Sequence, residues 1–154
     1  MAVTRRSYKP GDFDLQVRRS YAGLGLFTES EIPKGACIIE YVGKILGPGE
    51  EEKSRSRYLF EVSDRRTIDG SARSNKARYI NHACKANCEP EISRGRVFIF
   101  AKRKIKAGEE LGYDYGKAYV EQFIAPHGCL CPKCRAGTLA KRRRAAKAAE
   151  TKAR

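Results

Sequence analysis

A chain of 154 residues fits one domain, long enough to bury about two-thirds of the surface its unfolded form exposes. With 41% hydrophobic and 32% charged residues the composition is that of a soluble globular protein, and the formal net charge of +14 favours encounters with polyanions. No apolar run approaches the ~20 residues of a membrane helix, which sets aside a helical membrane span and any membrane partner.

Residues 1–12 read as a basic N-terminal extension. Met1 to Pro10 carries no apolar core, which argues against a secretory leader and predicts an intracellular protein. Beyond it, Gly, Pro and polar turn residues interrupt the chain at short intervals. Short β-forming runs lie between them at 15–17, 37–42, 58–62, 66–68 and 97–101. Helical signals are few: one short helix over 74–81 with Ser74 as its cap, and another over 117–124. This pattern predicts a mainly β fold with compact turns. From Leu139 the composition shifts to Ala, Lys and Arg, and residues 141–154 hold seven Lys/Arg against one Glu. These residues favour helix, but no apolar stripe exists to dock one, so a frayed or disordered tail is expected. Such a tail either stays solvated or contacts nucleic acid.

Four segments carry chemistry. Gly23-Leu24-Gly25 offers backbone that a ligand could approach closely, since no Cβ intervenes. It lacks the third glycine and following helix of a dinucleotide fingerprint, so a tight turn between strands is the plain reading. Asn81 and His82 could read a polar ring edge, or could simply form a turn or a satisfied core pair. Tyr113 and Tyr115 share a face if their segment is extended, as a functional wall or as ordinary packing. Cys129, Cys131 and Cys134 lie too close together for disulfides and can converge on one ion. Structural zinc takes four ligands in a tetrahedron. Cys84 or Cys88 are the obvious sources of the fourth thiolate, ahead of Cys37. The even count of six cysteines would also permit disulfides, but an intracellular chain keeps its thiols reduced.

In this order the segments resemble the SET domain. Gly23-Leu24-Gly25 is followed by Ile32 to Gly35, by Glu40-Tyr41-Val42-Gly43, by Tyr58-Leu59-Phe60 and by Ile68-Asp69. The Arg-x-x-Asn-His-x-Cys signature resembles Arg78 to Cys84, with Asn87-Cys88 after it. Gly108 to Tyr115 and a post-SET Cys-x-Cys-x-x-Cys, Cys129 to Cys134, complete the set. The resemblance divides the chain into a SET domain over 13–116, a post-SET segment over 117–136 and a basic tail over 137–154. It implies several small curved sheets, a C-terminal pseudoknot and a post-SET zinc loop. The cysteine-rich pre-SET region of many relatives has no counterpart here.

The same resemblance implies a protein-lysine N-methyltransferase using S-adenosylmethionine, with a histone-like or other Lys-rich protein as substrate. Gly23, Leu24, Gly25, Asn81, His82 and Tyr115 match cofactor-binding positions. Tyr115 matches the residue at the methyl-transfer point, Tyr113 the one that influences methyl count, and Tyr41 and Tyr58 the walls of the lysine channel. Cys84 joins Cys129, Cys131 and Cys134 as the implied zinc set. A tyrosine at 113 leads to an expectation of monomethylation. Gly112, Ala83 and Ala86 depart from the usual Thr, Ser and Pro, and Gly112 is expected to loosen the strand before Tyr113. The rival readings are a basic zinc-containing nucleic-acid-binding module and a SET-like scaffold without catalysis. Localisation is expected to be nuclear or chromosomal in a eukaryote, and cytoplasmic or at the nucleoid in a bacterium.

Overall fold

The computed structural model describes residues 5–152; the first four residues of the N-terminal extension and the last two of the tail lie outside it. Ten strands are described in chain order. They are β1 (Leu15–Ser20), β2 (Gly23–Thr28), β3 (Cys37–Tyr41), β4 (Lys44–Leu46), β5 (Leu59–Ser63), β6 (Arg66–Asp69), β7 (Asn81–His82), β8 (Cys88–Ser93), β9 (Arg96–Ala101) and β10 (Gly112–Tyr113). The helices are α1 (Glu50–Lys53), α2 (Lys117–Tyr119) and α3 (Pro132–Lys152), with a 3₁₀ turn at Lys76–Tyr79 and a π turn at Val120–Ile124. The strands form four small sheets: β1-β2, β3-β9-β8, β4-β6-β5 and the pair β7-β10. The expected mainly β architecture of several small sheets is what is observed.

Strand β9 is the centre of the fold. Five consecutive residues from Val97 to Ala101 are buried, because β9 pairs with β3 on one edge and β8 on the other and is covered on both faces. Its side chains alternate accordingly. Val97, Ile99 and Ala101 join Leu26, Ile32, Ile38, Ile80, Ile105 and Leu111 in the main core. Phe98 and Phe100 face the other way, with Cys37, into a second cluster. The N-terminal extension closes that cluster. Tyr8 packs edge-on at 5.5 Å from both rings, and the Arg6 guanidinium lies 4.3 Å over Phe100 while bonding Glu89 and Glu91. Residues 6–8 therefore form a structural strap rather than a loose basic arm.

Three local expectations differ from the structure. Gly23 to Thr28 is a strand in register with β1 rather than a turn; the turn falls at Tyr21-Ala22, and Gly23 exits it at φ 100°. The helix expected over 74–81 shrinks to the 3₁₀ turn, because Asn75 rather than Ser74 precedes it and its buried side chain is used for tertiary bonds. Asn75 donates to the Gly70 carbonyl at 3.0 Å and accepts from the Val42 N–H. The tail expected to be disordered is helical as far as Lys152. Ala, Lys and Arg favour helix, and Pro132 starts α3 where a missing N–H costs nothing. As the missing apolar stripe implies, no residue of α3 is buried. None of the described helices is long and apolar enough to cross a membrane.

Phe100→Ala should cost about 3–5 kcal/mol of stability, through lost burial and the cavity left under Tyr8. Urea unfolding would register this as a lower midpoint at unchanged slope. A loss below about 1 kcal/mol would mean that the second cluster can collapse to fill the gap.

Candidate active site

The two-residue ladder of β7 and β10 organises the site. It is parallel, pairing Asn81 with Gly112 and His82 with Tyr113, and the Ala83 N–H extends it to the Tyr113 carbonyl. Gly112 does not loosen it. Its N–H is held by Asn87 Oδ1 at 2.9 Å, and a Cβ there would fall 2.8 Å from that of Ala83. The two departures thus fit each other: a glycine packed beside the Ala83 methyl lets the strands close. Asn87 is buried and its Nδ2 also donates to the Glu110 carbonyl at 2.8 Å, so it clamps the strand entering the site.

Two cavities meet behind this ladder. The larger, about 700 Å³, is lined by Tyr21, Leu24, Asn81, His82, Tyr115 and the post-SET residues Gly128 to Cys131, among others. Its size and mixture of aromatic walls with a few convergent polar groups suit a small-molecule ligand. The smaller, about 90 Å³, is a slot walled by Tyr41, Tyr58, Phe60, Tyr113 and Tyr115. Arg57, Tyr58, Arg78, Tyr115 and Tyr119 border both. Gly23 and Gly25 do not line the large cavity, although Leu24 between them does. Gly25 is small for another reason: a Cβ there would collide with the Glu110 carboxylate and approach the Ser20 Cβ at 2.8 Å.

The aromatic residues are locked by packing and hydrogen bonds. Tyr113 and Tyr115 have ring centroids 4.9 Å apart, as their spacing predicts. The Tyr115 hydroxyl donates to the Ile80 carbonyl, and Tyr41 donates to the Tyr58 carbonyl at 2.8 Å. Burial pushes the Tyr41, Tyr113 and Tyr115 phenols above their ordinary range, so all three remain neutral O–H groups at physiological pH. The Arg78 guanidinium stacks 4.2 Å over the Tyr58 ring and donates to the Ser71 carbonyl.

His82 joins the ligand cavity to the cysteines. Its Nδ1 accepts the Tyr115 N–H at 3.2 Å, which leaves the proton of the neutral ring on Nε2. Nε2 lies 3.3 Å from Cys84 Sγ. Asp114 sits 3.8 Å from Nδ1, but burial outweighs it and lowers the imidazole pKa, so the ring is neutral. Sγ of Cys84, Cys129, Cys131 and Cys134 all lie within 4.8 Å of one another. Cys84 Sγ is 3.9 Å from Cys129 and 3.6 Å from Cys134. Tetrahedral zinc with ~2.3 Å Zn–S bonds requires about 3.8 Å between sulfurs. Burial raises the Cys131 thiol, but backbone N–H groups of Cys84 and Cys134 together with the Cys129 and Cys134 thiols reverse this, to about 6. The donor set and its spacing fit a structural metal. Cys88 and Cys37 are buried elsewhere, in the main and second core clusters, so Cys84 is the fourth member.

Sequence reasoning missed Tyr119 and Phe123. The Tyr119 ring is T-shaped against Tyr115 at 5.1 Å and tilted against Phe123 at 4.7 Å, and its hydroxyl bonds the Arg57 carbonyl. The signal was present as aromatics every fourth residue from 115 to 123, leading into the helix expected over 117–124. Arg57, Arg73 and Arg78 also line the large cavity without having been singled out as ligand contacts.

The SET domain model matches residues 23–116, more than half of the chain. A Drosophila melanogaster protein named histone-lysine N-methyltransferase trr is 39% identical over 131 residues, covering 77% of this chain and 5% of that protein. The histone-lysine N-methyltransferase set1 of Dictyostelium discoideum is 37% identical over 124 residues, 72% of this chain and 8% of its own length. An H3 lysine-4 specific histone-lysine N-methyltransferase of Mycosarcoma maydis is 40% identical over 129 residues, 72% of this chain and 9% of that protein. The chain thus spans less than a tenth of the length of these relatives. The matched stretch begins at β2 and ends just past Tyr115, enclosing the ladder and both tyrosines: this chain belongs to the SET-domain family.

Proposed function

We propose that the chain is a protein-lysine N-methyltransferase that takes its methyl group from S-adenosylmethionine and acts on a histone-like or other Lys-rich protein. The observation that supports this most is the meeting of a ligand-sized cavity and a narrow aromatic slot at Tyr115. Leu24, Asn81, His82 and Tyr115 would hold the cofactor in the larger space. When bound, its sulfonium supplies an electrophilic methyl group. The slot receives the lysine side chain, whose amine must lose a proton before attack, since its pKa in water is near ~10.4. Desolvation between Tyr41, Phe60, Tyr58 and Tyr113 disfavours the ammonium, and the fixed Arg78 cation on Tyr58 adds to that. Because the Tyr115 proton is committed to Ile80, its oxygen acts as an acceptor that aims the amine. A histone-like substrate would place the protein at chromatin or, in a bacterium, at the nucleoid.

The buried Tyr113 hydroxyl fills the slot and can retain a water, so rotation of a methylated amine is hindered and monomethylation is favoured. Intact-mass spectrometry of a basic protein mixture with S-adenosylmethionine should show single ~14 Da steps on lysine. Tyr113→Phe should raise the di- and trimethyl fraction, while Tyr115→Phe should lose more than about tenfold in turnover. No mass gain together with loss of cofactor binding would favour a scaffold without catalysis.

The four cysteines are proposed to bind one structural zinc that fixes the segment closing the large cavity. Elemental analysis should find one zinc per chain. Its removal by a chelator should weaken cofactor binding at least about tenfold, because Gly128 to Cys131 form part of the wall. A metal-free protein with full cofactor affinity would overturn this role.

Helix α3 is proposed to contact nucleic acid. Beyond Cys134 it is exposed, and it carries Lys141, Arg142, Arg143, Arg144 and Lys147 in two turns, against Glu150. Truncation after Thr138 should reduce the slope of log affinity against log salt for duplex DNA by about 4.5 if these five residues each neutralise one phosphate, at about 0.9 per contact. An unchanged slope would assign any such contact to the body instead.

A further inference from the structure

The segment before β10 runs along β2. Gly108 N–H bonds the Thr28 carbonyl, Thr28 N–H the Glu109 carbonyl and Leu111 N–H the Leu26 carbonyl, at 2.6, 3.1 and 2.8 Å. Glu110 is bridged to Phe27 in this ladder, and its side chain lies over Gly25, where any Cβ would collide with it. The Ser20 hydroxyl meets both carboxylate oxygens, at 2.6 and 2.7 Å. The other partner of the carboxylate is Asn81, whose Nδ2 donates to Glu110 Oε1 at 3.0 Å and to the Leu24 carbonyl at 2.9 Å.

A carboxamide has two N–H donors, and here both are spent on acceptors. The amide cannot be turned over, because its oxygen would then face a carboxylate and a carbonyl. Among the described residues Oδ1 is the side-chain polar atom of Asn81 left without a partner, and Asn81 lines the large cavity. The site therefore presents an acceptor, with a carboxylate immediately behind it, to a ligand group that must donate. We propose that Glu110 is a positioning residue: acting through Asn81, it sets the polarity of the ligand cavity so that Asn81 Oδ1 recognises an ammonium, that of the amino-acid portion of the cofactor. Gly25 and Ser20 serve this device, one by making room for the carboxylate and the other by holding it.

This inference rests on the cofactor reading given above, and two ligands separate the two claims. S-adenosylhomocysteine carries the ammonium; methylthioadenosine keeps the adenosine and sulfur and lacks the amino-acid portion. Titration calorimetry on the full chain should give Glu110→Gln a roughly tenfold weaker Kd for S-adenosylhomocysteine, the scale of one charge-assisted bond. Methylthioadenosine affinity should stay within about twofold. In turnover, KM for S-adenosylmethionine should rise with kcat at saturation preserved. Ser20→Ala, which frees the carboxylate without removing it, should move the same ligand in the same direction by a smaller factor and serves if Glu110→Gln does not fold. Equal weakening of both ligands would reduce Glu110 to a structural role and overturn the proposal, as would no change in either. A wild-type chain that binds neither ligand would overturn the cofactor reading itself.

Discussion

The ladder between β7 and β10 is the constraint on which the site depends. It is two residues long and could not stand alone, yet it sets Asn81 and His82 alongside Gly112 and Tyr113. Parallel register matters here. It points the chain beyond both strands the same way, so Ala83-Cys84 and Asp114-Tyr115 emerge side by side, one toward the cysteines and the other toward the aromatic slot. The close approach of Gly112 to Ala83 and the clamp by Asn87 hold this short pairing together.

His82 sits where these directions diverge. A backbone N–H fixes its tautomer, and the remaining proton faces Cys84. An imidazole that donates to a sulfur of this cluster steadies both the ring and the sulfur, the part that outer partners play at metal sites. The ligand cavity and the cysteine cluster are thus joined through His82 as well as through Cys129 and Cys131, which line the cavity themselves. The slot is governed by burial instead: neutral phenols and a stacked guanidinium leave no anion among its walls to hold a charged amine.

Much of this was legible in the residues. The β-rich runs became strands, the three clustered cysteines converged with Cys84, and Tyr113 and Tyr115 came together as their spacing implies. What could not be read were consequences of tertiary partners. Gly25 suggested close approach by a ligand, whereas the group it admits is the carboxylate of Glu110, far along the chain. Ser74 offered a cap, but Asn75 was drawn into bonds with Gly70 and Val42. The tail lacked any apolar stripe, and beyond Cys134, which joins the cysteine cluster, its helix forms by local propensity with every residue exposed. Tyr119 and Phe123 were visible as a stripe, but only the position of α2 gives that stripe something to line.

The separations bridged by these contacts also bear on how the chain reaches its native state. Ser20 meets Glu110 across 90 residues, Arg6 meets Glu91 across 85, and Cys84 meets Cys134 across 50. Each is a loop whose closure entropy must be met before the contact returns anything. Topologies dominated by such distant pairings fold slowly. During synthesis, the hairpin of β1 and β2 can form early, but its carboxylate partner, the aromatic slot and the last three cysteines all emerge later. The site thus closes only once Cys134 is available and the last sulfur can join the other three.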